Sequence, residues 1–357
     1  MNSHKYFYVI GLMSGTSLDG VDFCYVRFYI DKNSQWQYDI LATACYDYAD
    51  DWVEKLAYAH LLNNDEIFKL NHDYSKLIAK NYIHKFLENV QPKPIDFIST
   101  HGHTIFHQPE KRLTLQIGNL PNIANTVGYP VICNFRVQDV KKGGQGAPLV
   151  PIGDLLLFQQ YDVCINIGGF VNISLKKNKR IMAYDVCPAN KVLNHLCQKI
   201  GFRFDQNGSI AAKANVNTNL LHQLNNLDYY KLSPPKSLGV EWLESFIFPL
   251  LSESKLSVEE QIATFTEHIA DQLSRQIPVS ARVLLTGGGA FNQHLIHRLE
   301  HKISTKILLP QPELINYKEA LIFAFLGVLR YNNQNNILAS VTGAPADHSA
   351  GYIYYPK

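Results

Sequence analysis

Three times in this chain an apolar, β-rich run breaks directly into a turn of small residues, and this recurrence constrains the fold more than any other feature. Phe7 to Leu12 stops at Ser14-Gly15-Thr16-Ser17, Val163 to Ile167 at Gly168-Gly169, and Val283 to Leu285 at Thr286-Gly287-Gly288-Gly289. Glycine at the end of a buried strand lets the backbone approach a ligand closely and turn its N–H groups inward, as phosphate groups require. Neither G-x-G-x-x-G nor the lysine-containing P-loop occurs in a strand–helix context, which disfavours both of those nucleotide folds.

The runs between these turns imply two α/β halves. After the first turn, Gly20 to Ile30 and Gln37 to Ala44 read as further strands, making an antiparallel meander with Phe7 to Leu12. From Asp65 to Val90 apolar residues recur at helical spacing (Ile67, Leu70, Tyr74, Ile78, Tyr82, Phe86, Val90), and Pro92 and Pro94 end the pattern. Ile95 to Ser99 is a buried strand entering His101-Gly102-His103-Thr104. The pattern restarts after Pro130 with strands at Val131 to Cys133, Val163 to Ile167, Val171 to Leu175 and Ile181 to Tyr184. A helical stretch from Ile262 to Ile277, a strand at Val283 to Leu285 and a last helix over Tyr317 to Leu329 follow. Strands, helices and a glycine turn thus occur twice, which predicts two similar lobes with a cleft between them. The expected lobes are residues 1–130 plus 336–357, and 131–335.

Composition bounds the partners. A chain of 357 residues is long for one core and comfortable for two. With 33 basic and 31 acidic residues, a net charge of +2 and no basic stripe, it has no nucleic-acid footprint. None of its 6 cysteines forms a C-x-x-C pair, and several lie in apolar runs, so a reducing compartment is expected. No A-x-A-like cleavage site follows the N-terminal run, and the apolar run from Ala320 to Leu329 is too short to span a bilayer. A cytoplasmic protein without membrane contact is the expectation.

Several clusters carry chemistry. In Gly15-Thr16-Ser17-Leu18-Asp19-Gly20-Val21-Asp22, hydroxyls and N–H groups could hold phosphates, and Asp19 or Asp22 could hold magnesium directly or through water. The plain alternative is a β-hairpin turning at Asp19-Gly20. Paired glycine hairpins without a phosphate-binding lysine point to the actin-like ATPase class. The glycine-rich stretch from Phe135 to Pro151, with Arg136, Asp139 and Gln145, reads as a site wall, a hinge or an interdomain linker. Asp185, at the end of an apolar strand, is a general-base candidate, although spacing alone favours Asp185 or Asn190 as the N-cap of the helix that follows. His101, His103 and His107 lack a nearby carboxylate or cysteine, so a zinc site is weakly supported. Glu319 opens the last helix, where a glutamate ordinarily complements the helix dipole.

In order and spacing these motifs resemble the anhydro-N-acetylmuramic acid kinases of cell-wall recycling over nearly the whole chain. Gly11 to Asp22 looks like the family's opening block. His101 to Thr104, Leu115 to Gly118, Phe135 to Pro151, Asn166 to Asn172, Pro235-Lys236-Ser237, Thr286 to Asn292, Glu319-Ala320 and Val341 to Ala344 follow. The resemblance implies a two-lobed actin-like (ribonuclease H-like) ATPase fold that uses ATP and magnesium, and it is compatible with a homodimer. It implies water-driven opening of the 1,6-anhydro bridge of the amino sugar with phosphorylation of O6; the alternatives are a kinase of another N-acetylhexosamine and a nucleotide- or sugar-binding homologue without turnover. It further implies nucleotide contacts at Gly15 to Asp22, Gly168, Gly169, Gly287, Gly288, Gly289 and Asn292. Sugar contacts are implied at His101, Thr104, Arg136, Asp139, Gln145, Asn190 and Glu319. The family's base lies in a block reading Asp-Thr-Gly-Pro-Gly-Asn, which Asp185 and Asn190 match, so the resemblance overrides the capping preference. This chain departs from the family at Val186, Cys187 and Ala189 of that block, at His103 where glutamine is usual, and at Asn194 where an acid is expected. A Cys187 lining the cleft would be open to thiol reagents.

Overall fold

The computed structural model describes residues 6–357 apart from Thr16, Asn178, Lys179, Lys306 and Leu308. The chain divides into two compact units, residues 1–158 with 317–357 and residues 159–316.

The first unit is built on β1 (Phe7–Ser14), β2 (Val21–Ile30) and β3 (Trp36–Tyr46), a meander, and on β4 (Phe97–Thr100). A side hairpin, β5 (His103–Gln108) with β6 (Leu113–Ile117), follows, and then β7 (Val131–Cys133). β1 is the centre of the sheet: it pairs antiparallel with β2 and parallel with β4, with Leu12 opposite Thr100. A strand covered on both faces reads as a near-continuous apolar run. Accordingly Val9, Ile10 and Leu12 are fully buried. On one face lie helix Asn64–Leu77 and its continuation His84–Val90, which share a core with Ile10, Phe23 and Ile98. The continuous helix expected over 65–90 is interrupted: around Ile78–Ile83 the bonding widens, and the His84 amide reaches back to the Ala79 carbonyl. An Asn63–Glu66 capping box starts the element, satisfying amides that a helix N-terminus leaves open.

The second unit repeats the plan with β8 (Val163–Ile167), β9 (Phe170–Lys177), β10 (Arg180–Pro188) and β11 (Val283–Thr286). β8 pairs antiparallel with β9 and parallel with β11, where Asn166 faces Thr286. The buried helix Val258–Ser274 packs in the core with Ile165, Val186 and Leu285. The final strand, β12 (Tyr352–Tyr354), returns to the first unit beside β7. The sheet orders are β12-β7-β4-β1-β2-β3 and β10-β9-β8-β11. A meander flanked on its first strand by a parallel neighbour is the ribonuclease H-like plan of the actin-like ATPases, and it occurs once in each unit.

The unit boundaries fall at Phe158/Gln159 and Asn316/Tyr317, not at 130/131 and 335/336 as expected from the sequence. The reason is long-range pairing. β7 lies parallel to β4, with Ile98 opposite Val131, so the segment after Pro130 completes the first sheet. Helix Pro312–Tyr331 covers the other face of that sheet from Tyr317 onward, with the Ser99 hydroxyl donating to the Phe323 carbonyl at 2.6 Å.

That helix lies so close that β1 needs glycine beneath it. A Cβ added to Gly11 would sit 2.1 Å from the Ala320 carbonyl oxygen and 2.8 Å from the Ala324 side chain. Backbone atoms cannot yield as a side-chain tip can. Gly11→Ala is expected to cost about 2–3 kcal/mol of stability or more, read as a lower midpoint in urea denaturation with an unchanged slope.

Candidate active site

In the first unit, parallel pairing of β1 and β4 brings two loops to one end of the sheet. Ser14 ends β1, and the hairpin through Ser17, Leu18 and Asp19 returns as β2. The segment is thus the β-hairpin of the plain alternative, a geometry that leaves its part as a phosphate loop open. Leu18 carries a positive φ of 62°, and the Ser17 hydroxyl donates to the Asp19 carboxylate at 2.6 Å. Thr16, expected among the nucleotide contacts, lies outside the described residues. Val21 is buried, and Asp22, next along β2, is partly buried and faces Cys45 of β3 in register. Burial pushes the Asp22 carboxyl from its ordinary 3.8 up to about 6; the Cys45 thiol opposes this by hydrogen bonding, and the charges of Asp19 and Glu319 add to it. Burial raises Glu319 as well, against the pull of Lys318 and Arg136. The charges of Asp19 and Glu319 thus both reach Asp22, while Lys318 and Arg136 act on Glu319.

His101, in the turn after β4, and His103, the first residue of β5, are both buried. Burial and the Arg136 charge hold His101 well below the usual histidine range, so it is neutral. Its Nε2 accepts from Arg136 Nε at 2.9 Å, and Arg136 Nη1 donates to the Gly146 carbonyl at 2.7 Å. Burial lowers Arg136 to about 10, with Glu319 opposing. His103 is pressed down to about 4 by burial, and its Nδ1 lies 2.9 Å from the Ser14 hydroxyl. Tyr48 and Tyr74 complete that buried network, at 2.6 Å and 3.1 Å from Ser14. Thr104 receives the Gln116 side-chain amide at 3.4 Å.

Asp139 differs from its expected part as a sugar contact. Its carboxylate is fully buried, accepting from the Gly146 amide at 2.6 Å and the Thr342 hydroxyl at 2.9 Å. It fastens the glycine-rich loop to the C-terminal segment, and the exposed Gln145 is tied to that segment through its amide, 2.7 Å from the Thr342 carbonyl. The loop is thus neither a linker nor a hinge between units, because both of its anchors lie in the first unit.

In the second unit, pairing of β8 with β11 likewise sets two glycine turns side by side. Gly287 has φ +83°, and a Cβ there would meet the Asn166 side chain and the Ile167 carbonyl, each at 2.8 Å, so neither the backbone nor the space admits another residue. The Gly168 and Gly169 carbonyls accept the amides of Asn190 and Ala189, at 3.1 and 2.8 Å, which joins that turn to helix Asn190–Gln198. A cavity of about 450 Å³ is bordered by Asn190, Asn194, Asn207, Gly288, Gly289 and Asn292. Asn194, one of the departures from the family pattern, therefore faces the same space as Gly288 and Gly289.

Asp185 lies on β10 at a bulge, a feature that re-aims a side chain. It is not an N-cap: the capping position of helix Asn190–Gln198 is Ala189, with no side-chain bond. One Asp185 oxygen accepts from the Leu238 amide at 2.8 Å and the other from the Asn172 side chain. The Asp185 carbonyl accepts from the Tyr229 hydroxyl at 2.6 Å, and its amide donates to the Lys236 carbonyl at 3.1 Å. Burial raises its pKa and these donors restrain the rise. The carboxylate is thus oriented through both oxygens yet more basic than an exposed aspartate. Tyr229 and Leu238 carry no signal near Asp185 in sequence; only the Pro235-Lys236-Ser237 block pointed to this strand of contacts.

Val186, Cys187 and Ala189, the altered residues of the block, are all core residues, and neither Cys187 nor Ala189 has a positive φ; Ala189, at φ −140° and ψ −104°, is neither helical nor extended. Cys187 is fully buried and burial pushes its thiol far up, which removes the expected openness to thiol reagents.

The anhydro-N-acetylmuramic acid kinase family model matches residues 7–356. The chain belongs to that family. A Haemophilus influenzae relative named anhydro-N-acetylmuramic acid kinase is 34% identical, over 98% of this chain and 98% of that protein. A Vibrio cholerae relative of the same name is 33% identical over 97% and 98%, and one from Bacillus cereus 32% identical over 98% and 100%. With family membership shown, the two ribonuclease H-like units are those of an ATP-dependent carbohydrate kinase.

The raised Asp22 carboxyl has a measurable consequence. Because folding favours its protonated form, stability is lost as pH rises from about 4 through about 6. Asp22→Asn removes the charge and is expected to stabilise the protein at pH 8 by about 1–2 kcal/mol, with the advantage over wild type vanishing near pH 4. Thermal denaturation of both proteins across that range checks the sign.

Proposed function

We propose that the chain is an ATP-dependent kinase that opens the 1,6-anhydro ring of anhydro-N-acetylmuramic acid with water and phosphorylates O6. The product is N-acetylmuramic acid 6-phosphate, within cell-wall recycling. The observation that carries this reading is the setting of Asp185, a partly buried carboxylate of raised basicity whose oxygens are aimed by the Leu238 amide and Asn172.

Asp185 takes a proton from the water that attacks the anomeric carbon. The bond from that carbon to O6 breaks, and O6 leaves with its electron pair and attacks the γ-phosphorus of ATP, releasing ADP. The leaving oxygen is itself the nucleophile toward phosphorus, so no separate acid is required, and the protein contributes position and charge. The glycine turns at Gly168-Gly169 and Gly287 to Gly289 and the cavity bordered by Asn190, Asn207 and Asn292 suit the nucleotide. The Ser17–Asp19 hairpin suits its outer phosphates. His101, Thr104, Arg136, Gln145, Asn190 and Glu319 are the sugar contacts in this reading, and Asp139 positions the loop that carries Gln145.

Asp19 and Asp22 are the residues that would hold magnesium, and their mutual repulsion with Glu319 fits a site that awaits a cation. An ion held there by one or two carboxylates would take its remaining ligands from phosphate oxygens and water. Bound there, magnesium would neutralise phosphate charge. Among the described residues no helix is long and apolar enough to cross a membrane; a cytoplasmic setting is the expectation from composition, and a homodimer the arrangement carried over from the resemblance.

Asp185→Asn keeps the shape and removes the base. Turnover is expected to fall by about 10²–10⁴-fold with nucleotide affinity largely retained. ADP release assays beside nucleotide titration check it, and wild-type turnover in the variant would contradict the assignment.

A further inference from the structure

Helix Gln293–Glu300 leaves the glycine turn of the second unit, capped by Asn292, whose Oδ1 accepts the Leu295 amide at 2.9 Å. At its other end two histidines stand one turn apart. The His301 amide closes onto the His297 carbonyl at 3.1 Å, so helical spacing continues through His301. Both side chains are exposed, and their Nε2 atoms lie 3.0 Å apart.

We propose that His297 and His301 form a chelating site for a divalent transition-metal ion of the copper or nickel type, separate from the magnesium of the kinase reaction. The spacing of the two nitrogens is the first argument. With metal–imidazole bonds of about 2.0–2.1 Å, nitrogens 3.0 Å apart subtend roughly 95° at the ion. That is the angle between neighbouring positions of a tetragonal or octahedral ion and is narrower than a tetrahedral site wants, so Cu²⁺ and Ni²⁺ are preferred to Zn²⁺. Neutral imidazole nitrogen is a poor ligand for Mg²⁺, which selects oxygen.

The surroundings are the second argument. The basic residues next to the pair in sequence are matched by carboxylates: Arg298 binds Glu267 through two nitrogens at 2.6 and 2.9 Å, and Lys302 bridges Glu267 and Asp271 at 2.6 and 2.8 Å. The helix C-terminus contributes partial negative charge. In the metal-free arrangement one ring donates its Nε2 proton to the other; metal binding moves that proton to the Nδ1 of the same ring, leaving an Nε2 lone pair on each histidine, and because both rings are exposed they can turn about χ2 to face one ion. No third histidine, cysteine or carboxylate completes a cluster among the described residues, so water fills the remaining positions and the ion exchanges readily.

Untagged, EDTA-treated protein is titrated with Cu²⁺ and, separately, with Ni²⁺, with binding read by equilibrium dialysis and the copper form by electron paramagnetic resonance. The expected result is one equivalent showing coupling to two nitrogens, lost in His297→Ala and in His301→Ala and unaffected by excess Mg²⁺. Persistence of that equivalent in both variants, or no stoichiometric binding by wild type, overturns the proposal. Gln variants at the same positions, checked for folding by circular dichroism, are read in the same way, so a misfolded Ala variant does not decide the matter. The kinase reading has no part in either outcome.

Discussion

Everything that this chain can do chemically depends on one pairing made twice: a hairpin strand that takes a parallel neighbour on its other side. β1 runs beside β4 with Leu12 opposite Thr100, and β8 beside β11 with Asn166 opposite Thr286. Parallel strands end at the same edge of a sheet, so the turn leaving one strand lies next to the turn leaving the other. Ligands of open α/β sheets bind outside those carboxyl ends. In the first unit that edge gathers the Ser17–Asp19 hairpin, Asp22, His101 and His103. In the second it gathers Gly168-Gly169, Gly287 to Gly289 and the start of helix Asn190–Gln198. The close approach at Gly11 and Gly287 is the local condition for each arrangement, since a side chain at either position would push adjoining backbone away.

The electrostatics follow from the burial that this packing imposes. Asp22 and Glu319 are held where their charged forms are disfavoured, His101 and His103 are held neutral, and Arg136 is desolvated beside Glu319. Such arrangements cost stability in the free protein and are relieved when a cation or an anionic ligand arrives, which is the usual signature of a functional site. Asp185 lies in the other unit in a different state, oriented by an amide and an asparagine rather than by a neighbouring charge.

Much of this was legible from the residues alone, because strand runs and glycine turns are local signals. The meander, the buried strands and the three turns lie close to where alternation and apolar runs put them. What failed to show was long-range. The segment after Pro130 looked like a new beginning, yet Val131–Cys133 finds its partner in Phe97–Thr100, and a pairing between distant strands leaves no periodic trace. Asp139 looked like a site residue because it lies in a glycine-rich loop; its burial against Thr342 depends on a segment 203 residues away. Asp185 could not be told from a helix cap by spacing, and its hydrogen-bond partners Asn172, Tyr229 and Leu238 come from three other stretches of chain. Cys187 and Ala189 stand where the family block has glycine, and spacing does not reveal that both side chains are buried.

The most direct test of the account is ADP release by the wild-type chain with magnesium-ATP, comparing anhydro-N-acetylmuramic acid with open-ring N-acetylhexosamines in parallel. Turnover with the anhydro sugar alone, yielding a 6-phosphate, is the result predicted for a base that activates water and a leaving oxygen that captures phosphate. Turnover with an open sugar and none with the anhydro sugar would contradict it, because such a reaction needs no water-activating aspartate.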